Sequence, residues 1–80
     1  MRLSLLSRAG CGLCDRAAAI LRDLGVEFDT IDIDREPRLL ALYDEAIPVV
    51  LAGDREICRA PVTPESLRVA LKALDPASRG

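Results

Sequence analysis

The sequence predicts a small α/β domain, and three observations carry that prediction. Short apolar runs alternate with stretches whose apolar residues recur at helical spacing, in the order β-α-β-α-β-β-α. Gly, Pro and Asp stand where one pattern gives way to the next. The chain has 80 residues, half of them hydrophobic, close to the size at which a single core is just sufficient. One domain is expected over residues 1–75, with a frayed tail at 76–80.

Leu3 to Leu6 is an apolar run bounded by Ser7 and Gly10, suited to a buried strand. Leu13, Ala17, Ile20, Leu21 and Leu24 then share a helical face, with Asp15, Arg16, Arg22 and Asp23 on the other side. Gly25 is placed to end that helix. Val26 to Ile33 is rich in β-branched residues, but its alternation changes phase, which a strand covered on both faces tolerates. Asp34 is expected to cap the second helix, with Pro37 in its first turn and Leu39, Leu40 and Tyr43 on its apolar side.

Ile47 to Leu51 reads as a buried strand introduced by Pro48. Gly53-Asp54 is a turn, and Arg55 to Ala60 is its hairpin partner, hence an antiparallel edge. Thr63-Pro64-Glu65 opens the last helix, whose buried stripe is Leu67, Ala70, Leu71 and Leu74 and whose stop is Asp75-Pro76. The first βαβ unit should be parallel, with a right-handed crossover. Adding the antiparallel hairpin makes a four-stranded mixed sheet.

The chemistry-bearing stretch is Arg8-Ala9-Gly10-Cys11-Gly12-Leu13-Cys14-Asp15. Two cysteines three apart at the start of a helix fall on one face, near enough for their sulfurs to join. The first helical turn has unpartnered N–H groups and the positive end of the dipole. A thiolate at Cys11 is therefore expected to titrate below the roughly 8.5 of a free thiol. Two other readings stay open: a pair of inert small hydrophobes, and part of a metal site. For the latter the chain has no His and only Cys58 to add, so a monomer would need carboxylates to complete it. Cys58, remote from the motif, reads as a structural cysteine. Asp15 suits a helix start but opposes a nearby thiolate, so it has no catalytic role. Asp29, Asp32 and Asp34 read as a solvated strand end and a helix cap rather than a cation site.

Composition excludes several functions. A net charge of −2, from 11 basic and 13 acidic residues, gives no electrostatic case for nucleic acid. One Phe, one Tyr and no Trp leave no stacking platform for single strands. The opening apolar run is shorter than a signal peptide requires, and no span of about 20 apolar residues occurs. Three cysteines, an odd number, argue against a secreted disulfide scaffold. A soluble, cytoplasmic monomer with no membrane contact is expected.

The residues Cys11-Gly12-Leu13-Cys14-Asp15 after the first strand, and Ile47-Pro48-Val49 opening the third, resemble the glutaredoxin-like branch of the thioredoxin superfamily. Val26-Glu27-Phe28 leading to Ile31-Asp32-Ile33-Asp34 fits as well, and the likeness covers nearly the whole chain. C-x-L-C followed by an acid and Arg16-Ala17 is similar to a group of small bacterial members. The resemblance implies a thioredoxin-like fold with helices on both sheet faces and a thiol–disulfide oxidoreductase. It makes Cys11 the nucleophile and Cys14 the resolving cysteine of a redox-active disulfide, and Pro48 a cis residue facing the sulfurs. Gly12, Leu13, Ile47 and Val49 would line the substrate groove. Arg8 matches a basic position that in glutaredoxins helps hold glutathione and stabilise the thiolate.

The sequence also departs from that pattern. Gly12 and Leu13 stand where glutaredoxins proper carry Pro and Tyr, and Arg59-Ala60-Pro61-Val62-Thr63 replaces the Gly-Gly and acidic pair that grips glutathione. The expected partner is a disulfide-containing protein or a small thiol. No bound cofactor and no metal are expected, with glutathione left open as a co-substrate. The alternative function is a non-enzymatic module that binds a partner through the groove at Pro48.

Overall fold

A four-stranded sheet presents the cysteine motif at one of its ends. In the computed structural model, which describes residues 2–74, β1 (Leu3–Ser7) leads to α1 (Gly12–Asp23) and β2 (Phe28–Asp32). A 3₁₀ turn (Ile33–Arg35) precedes α2 (Pro37–Tyr43), and β3 (Val49–Ala52), β4 (Arg55–Arg59) and α3 (Pro64–Leu74) complete the fold. The strand order is β2-β1-β3-β4, with β1 parallel to β2 and antiparallel to β3, and β3 antiparallel to β4. The expected mixed sheet and element order are both present. The stop at Asp75-Pro76 and the tail at 76–80 lie outside the described residues.

The two central strands read as unbroken apolar runs because both faces of the sheet are covered. Leu3, Leu5, Val50 and Ala52 point to one side, where Ala17, Ala18 and Leu21 of α1 and Leu67 of α3 close over them. Leu6, Val49 and Leu51 point to the other, with Ile33 among them and Leu39, Leu40 and Tyr43 of α2 above. Leu5, Leu6, Leu21, Ile33, Val49, Val50 and Leu67 are all less than 2% exposed, so this two-sided core fixes where β1 and β3 end. Those ends set the position of the cysteine loop and of Pro48.

Helix ends follow the sequence signals in two cases. After α1, the Val26 N–H donates to the Leu21 carbonyl at 3.3 Å and the Gly25 N–H to the Arg22 carbonyl at 3.0 Å. This is a Schellman ending, with Gly25 at φ 74°. At α3, the Ser66 N–H donates to Thr63 Oγ1 and the Thr63 N–H to Ser66 Oγ, each at 3.0 Å, a reciprocal cap.

Other boundaries differ from the sequence expectation. Val26 and Glu27 precede β2, because the Schellman bond ties Val26 back to α1 and its side chain joins the α1 side of the core. Ile33 belongs to the 3₁₀ turn rather than to the strand. Asp34 does not cap α2. The N-cap is Glu36, which makes no side-chain capping bond, while Asp34 is taken by Arg8. Asp32 caps the 3₁₀ turn instead, accepting from the Asp34 N–H at 2.9 Å. β3 starts at Val49, two residues later than expected, since Ile47-Pro48 is a cis bond outside the ladder. Opposite the Val50/Leu51 step, β4 carries one extra residue, so adjacent Ile57 and Cys58 both pack towards the α1 side.

Candidate active site

The site begins where β1 runs out. The Cys11 N–H donates to the Arg8 carbonyl at 3.3 Å, closing a turn whose third residue is Gly10 at φ 78°. That positive φ is what a type II turn demands at this position, and glycine meets it without steric penalty. The turn delivers Cys11 as the N-cap of α1, with φ −92° and ψ 103°. Its carbonyl accepts from the Asp15 N–H at 3.1 Å, and its Sγ accepts from the Cys14 N–H at 3.2 Å.

The Cys11 sulfur thus occupies the place of a Ser or Asp capping oxygen. Negative charge on that sulfur is favoured by a directed N–H and by the positive end of a 12-residue helix. In the structure Cys11 and Cys14 are joined as a disulfide, with their Cα atoms 5.2 Å apart.

The two cysteines differ in access. Cys14 is 1% exposed, whereas Cys11 is half-buried. Gly12 is exposed, with nothing within 4 Å of where a Cβ would stand, and Leu13 is 60% exposed. The two residues that follow Cys11 are therefore open to solvent, and Leu13 adds an exposed apolar side chain there.

Pro48 lies at the same end of the sheet. Leu6 pairs with Val49, so Pro48 stands level with Ser7, the residue from which the cysteine loop departs. The Ile47-Pro48 peptide is cis and Pro48 is fully buried. Val49 is buried too, and β1 and β4 flank it on both sides. Ile47 lies before the strand, outside the ladder pairs, and is half-buried. The structure therefore gathers Cys11, Cys14, Gly12, Leu13, Ile47 and Pro48 at one end, with Val49 beneath them.

Arg8 is at this end as well, but its guanidinium is occupied. Its Nη2 donates to Asp34 Oδ1 at 2.8 Å and to Asp44 Oδ1 at 2.7 Å. Its Nε reaches both Asp34 oxygens at 3.3 Å, and its Nη1 donates to the Asp44 carbonyl at 3.3 Å. Hydrogen bonds donated to Asp34 and then to Asp44 raise the Arg8 pKa above its ordinary value, fixing it as a cation. Sequence reasoning gave Asp44 no role. It lies 36 residues from Arg8 in a segment without a motif, and only the folded chain brings the two together.

Cys58 is remote from the pair and half-buried, with its Sγ 3.5 Å from Ser66 Oγ. Asp29 is bound by Arg2 at 2.8 Å, away from Asp32 and Asp34 in pairing though near them in sequence. Among the described residues no group of three or more His, Cys, Asp or Glu side chains is placed to hold a metal ion. Among the same residues no helix is long and apolar enough to cross a membrane.

Comparison with known proteins agrees with this geometry. Residues 2–72 match the glutaredoxin-like domain family known as DUF836. An uncharacterised Mycobacterium tuberculosis protein is 42% identical over 64 residues, which cover 69% of this chain and 66% of that protein. The chain thus spans just under two thirds of the length of the curated relatives it matches. A structural-genomics target from X. campestris superposes with a TM-score of 0.81 at 31% identity, covering 91% of this chain and 99% of that one. The glutaredoxin-like NrdH-redoxin of Escherichia coli, a protein described by its thioredoxin-like activity profile, superposes with a TM-score of 0.69 at 25% identity. That match covers 95% of this chain and 97% of the other.

Proposed function

The chain belongs to the glutaredoxin-like domain family, and from that premise we propose that it is a dithiol oxidoreductase in which Cys11 attacks and Cys14 resolves. One observation carries the reading. The sulfur of half-buried Cys11, at the N-cap of α1, accepts the Cys14 N–H and is joined to that of Cys14, a residue 1% exposed. The helix end favours a thiolate on the accessible partner, while burial disfavours one on the other.

The proposed reaction starts from the reduced pair. The Cys11 thiolate attacks one sulfur of a disulfide substrate, the substrate S–S bond breaks, and its second sulfur leaves as a thiolate that takes up a proton. Cys14 then loses its proton to the leaving sulfur or to water and attacks Cys11 Sγ, releasing the first substrate sulfur. Two electrons pass to the substrate, and the Cys11–Cys14 bond is left for an external thiol donor to reduce. The open rim at Gly12, the exposed Leu13 and the Ile47 backbone beside the cis bond favour an extended polypeptide as substrate.

Steady-state reduction of a protein disulfide by wild-type, Cys11→Ser and Cys14→Ser proteins tests this reading. Loss of turnover in Cys11→Ser and accumulation of a mixed disulfide on Cys11 in Cys14→Ser are the expected results. Full turnover in Cys11→Ser would remove the mechanism.

A further inference from the structure

Arg8, Asp34 and Asp44 form a charge cluster that the dithiol mechanism does not use. One cation faces two carboxylates, so the cluster carries a single net negative charge. All three elements meet at the end of the sheet where the cysteines lie. Arg8 opens the turn that closes on the Cys11 N–H, Asp34 follows β2, whose last residue pairs with Ser7, and Asp44 precedes Ile47-Pro48. Both carboxylates are about half exposed, at 49% and 58%, so their field reaches an approaching substrate. Each of the three Arg8 nitrogens already donates within the cluster. An anionic substrate therefore meets net repulsion where a free arginine would have given attraction. Asp15 and Arg16, adjacent on exposed positions of α1, carry opposite charges and do not offset this.

We propose that Asp34 and Asp44 are specificity-determining residues: by taking up Arg8 they leave the flank of Cys11 negative, so the dithiol acts on disulfides within basic polypeptide segments in preference to small anionic disulfides such as oxidised glutathione. This rests on the dithiol reading above. Asp34 and Asp44 touch no reacting atom and act through the field they set up with Arg8.

Single-turnover oxidation of the reduced protein at low ionic strength tests it with cationic cystamine, neutral hydroxyethyl disulfide and anionic oxidised glutathione. In each reaction the dithiol gives up two electrons, the probe S–S bond becomes two thiols, and the Cys11–Cys14 bond forms. Rates normalised to the neutral probe remove general effects on thiol reactivity or folding. In the double variant Asp34→Asn/Asp44→Asn the cystamine-to-glutathione rate ratio should fall by roughly three- to tenfold. Asp34→Glu/Asp44→Glu should keep the wild-type ratio, and added salt should shrink it in the wild type. An unchanged ratio in the Asn variant, or an equal fall in the Glu variant, would overturn the assignment while leaving the dithiol mechanism intact. Reduced wild type that reacts with none of the three probes overturns the dithiol mechanism, and this inference with it.

Discussion

The unequal access of the two cysteines gives a quantitative prediction about their reactivity. In a Cys58→Ser background, reduced Cys14→Ser leaves Cys11 as the thiol, and reduced Cys11→Ser leaves Cys14. Serine is itself a good N-cap, so the second variant preserves the start of α1. A reagent reaches half-buried Cys11 directly. To reach Cys14, at 1% exposure, the first turn of α1 must open. Opening breaks the Asp15 N–H bond to the Cys11 carbonyl and the Cys14 N–H bond to the capping side chain, at about 1 kcal/mol net each. Exposing the small Cys14 side chain adds about 1 kcal/mol. Together these come to about 3 kcal/mol, or roughly 150-fold in rate when opening is a rapid pre-equilibrium. Burial also disfavours a charged Cys14 sulfur while the helix end favours one on Cys11, which widens the expected difference. Iodoacetamide alkylation followed by intact mass spectrometry measures both rates. Alkylation of Cys14 within tenfold of Cys11 would refute the assignment of nucleophile and resolving roles.

Two further outcomes concern the scaffold. Leu21 is fully buried between α1 and the sheet, and Leu21→Ala should destabilise the domain by about 2–5 kcal/mol, whereas Leu42→Ala, at a side chain 71% exposed, should stay within about 0.5 kcal/mol; urea unfolding compares them. The Arg59 hydrogen bonds at 2.6 and 2.7 Å hold the Glu56 carboxyl below its ordinary pKa. A lowered carboxylate pKa contributes stability above the unfolded value and loses it as pH falls through the folded one. Glu56→Gln should accordingly shift the urea midpoint downward at pH 7 and converge with wild type in strong acid; a pH-independent difference would contradict the pairing.

Much of this fold was legible because its signals are local. Gly25 and Thr63-Pro64 end and begin helices through bonds made within a few residues, and the Cys11–Cys14 spacing is itself a local feature of one helical turn. The apolar runs at Leu3–Leu6 and Ile47–Leu51 marked buried strands, and Leu3, Leu5, Leu6 and Val49 to Leu51 are buried there. The β-branched run expected to be covered on both faces instead forms the edge strand β2, with Asp29 and Thr30 exposed. Boundaries failed where a local preference met a tertiary competitor. Asp34 has the chemistry of a cap, but a guanidinium from β1's end claims it. Val26 has strand propensity, but the Schellman bond holds it against α1. Arg8 was visible as a basic residue near the motif, while its neutralisation by Asp34 and Asp44 depends on partners 26 and 36 residues away. The cis bond at Ala60-Pro61 had no signal in the sequence.

Equilibration of the Cys11–Cys14 couple against graded dithiothreitol and glutathione redox buffers, read by trapping free thiols, tests the central claim most directly. Reversible two-electron titration in the folded protein at a potential between about −270 and −120 mV, with Cys58 unchanged, is the predicted result. A pair that fails to oxidise in the native fold, or one that resists reduction to below about −300 mV as a structural staple does, would contradict it.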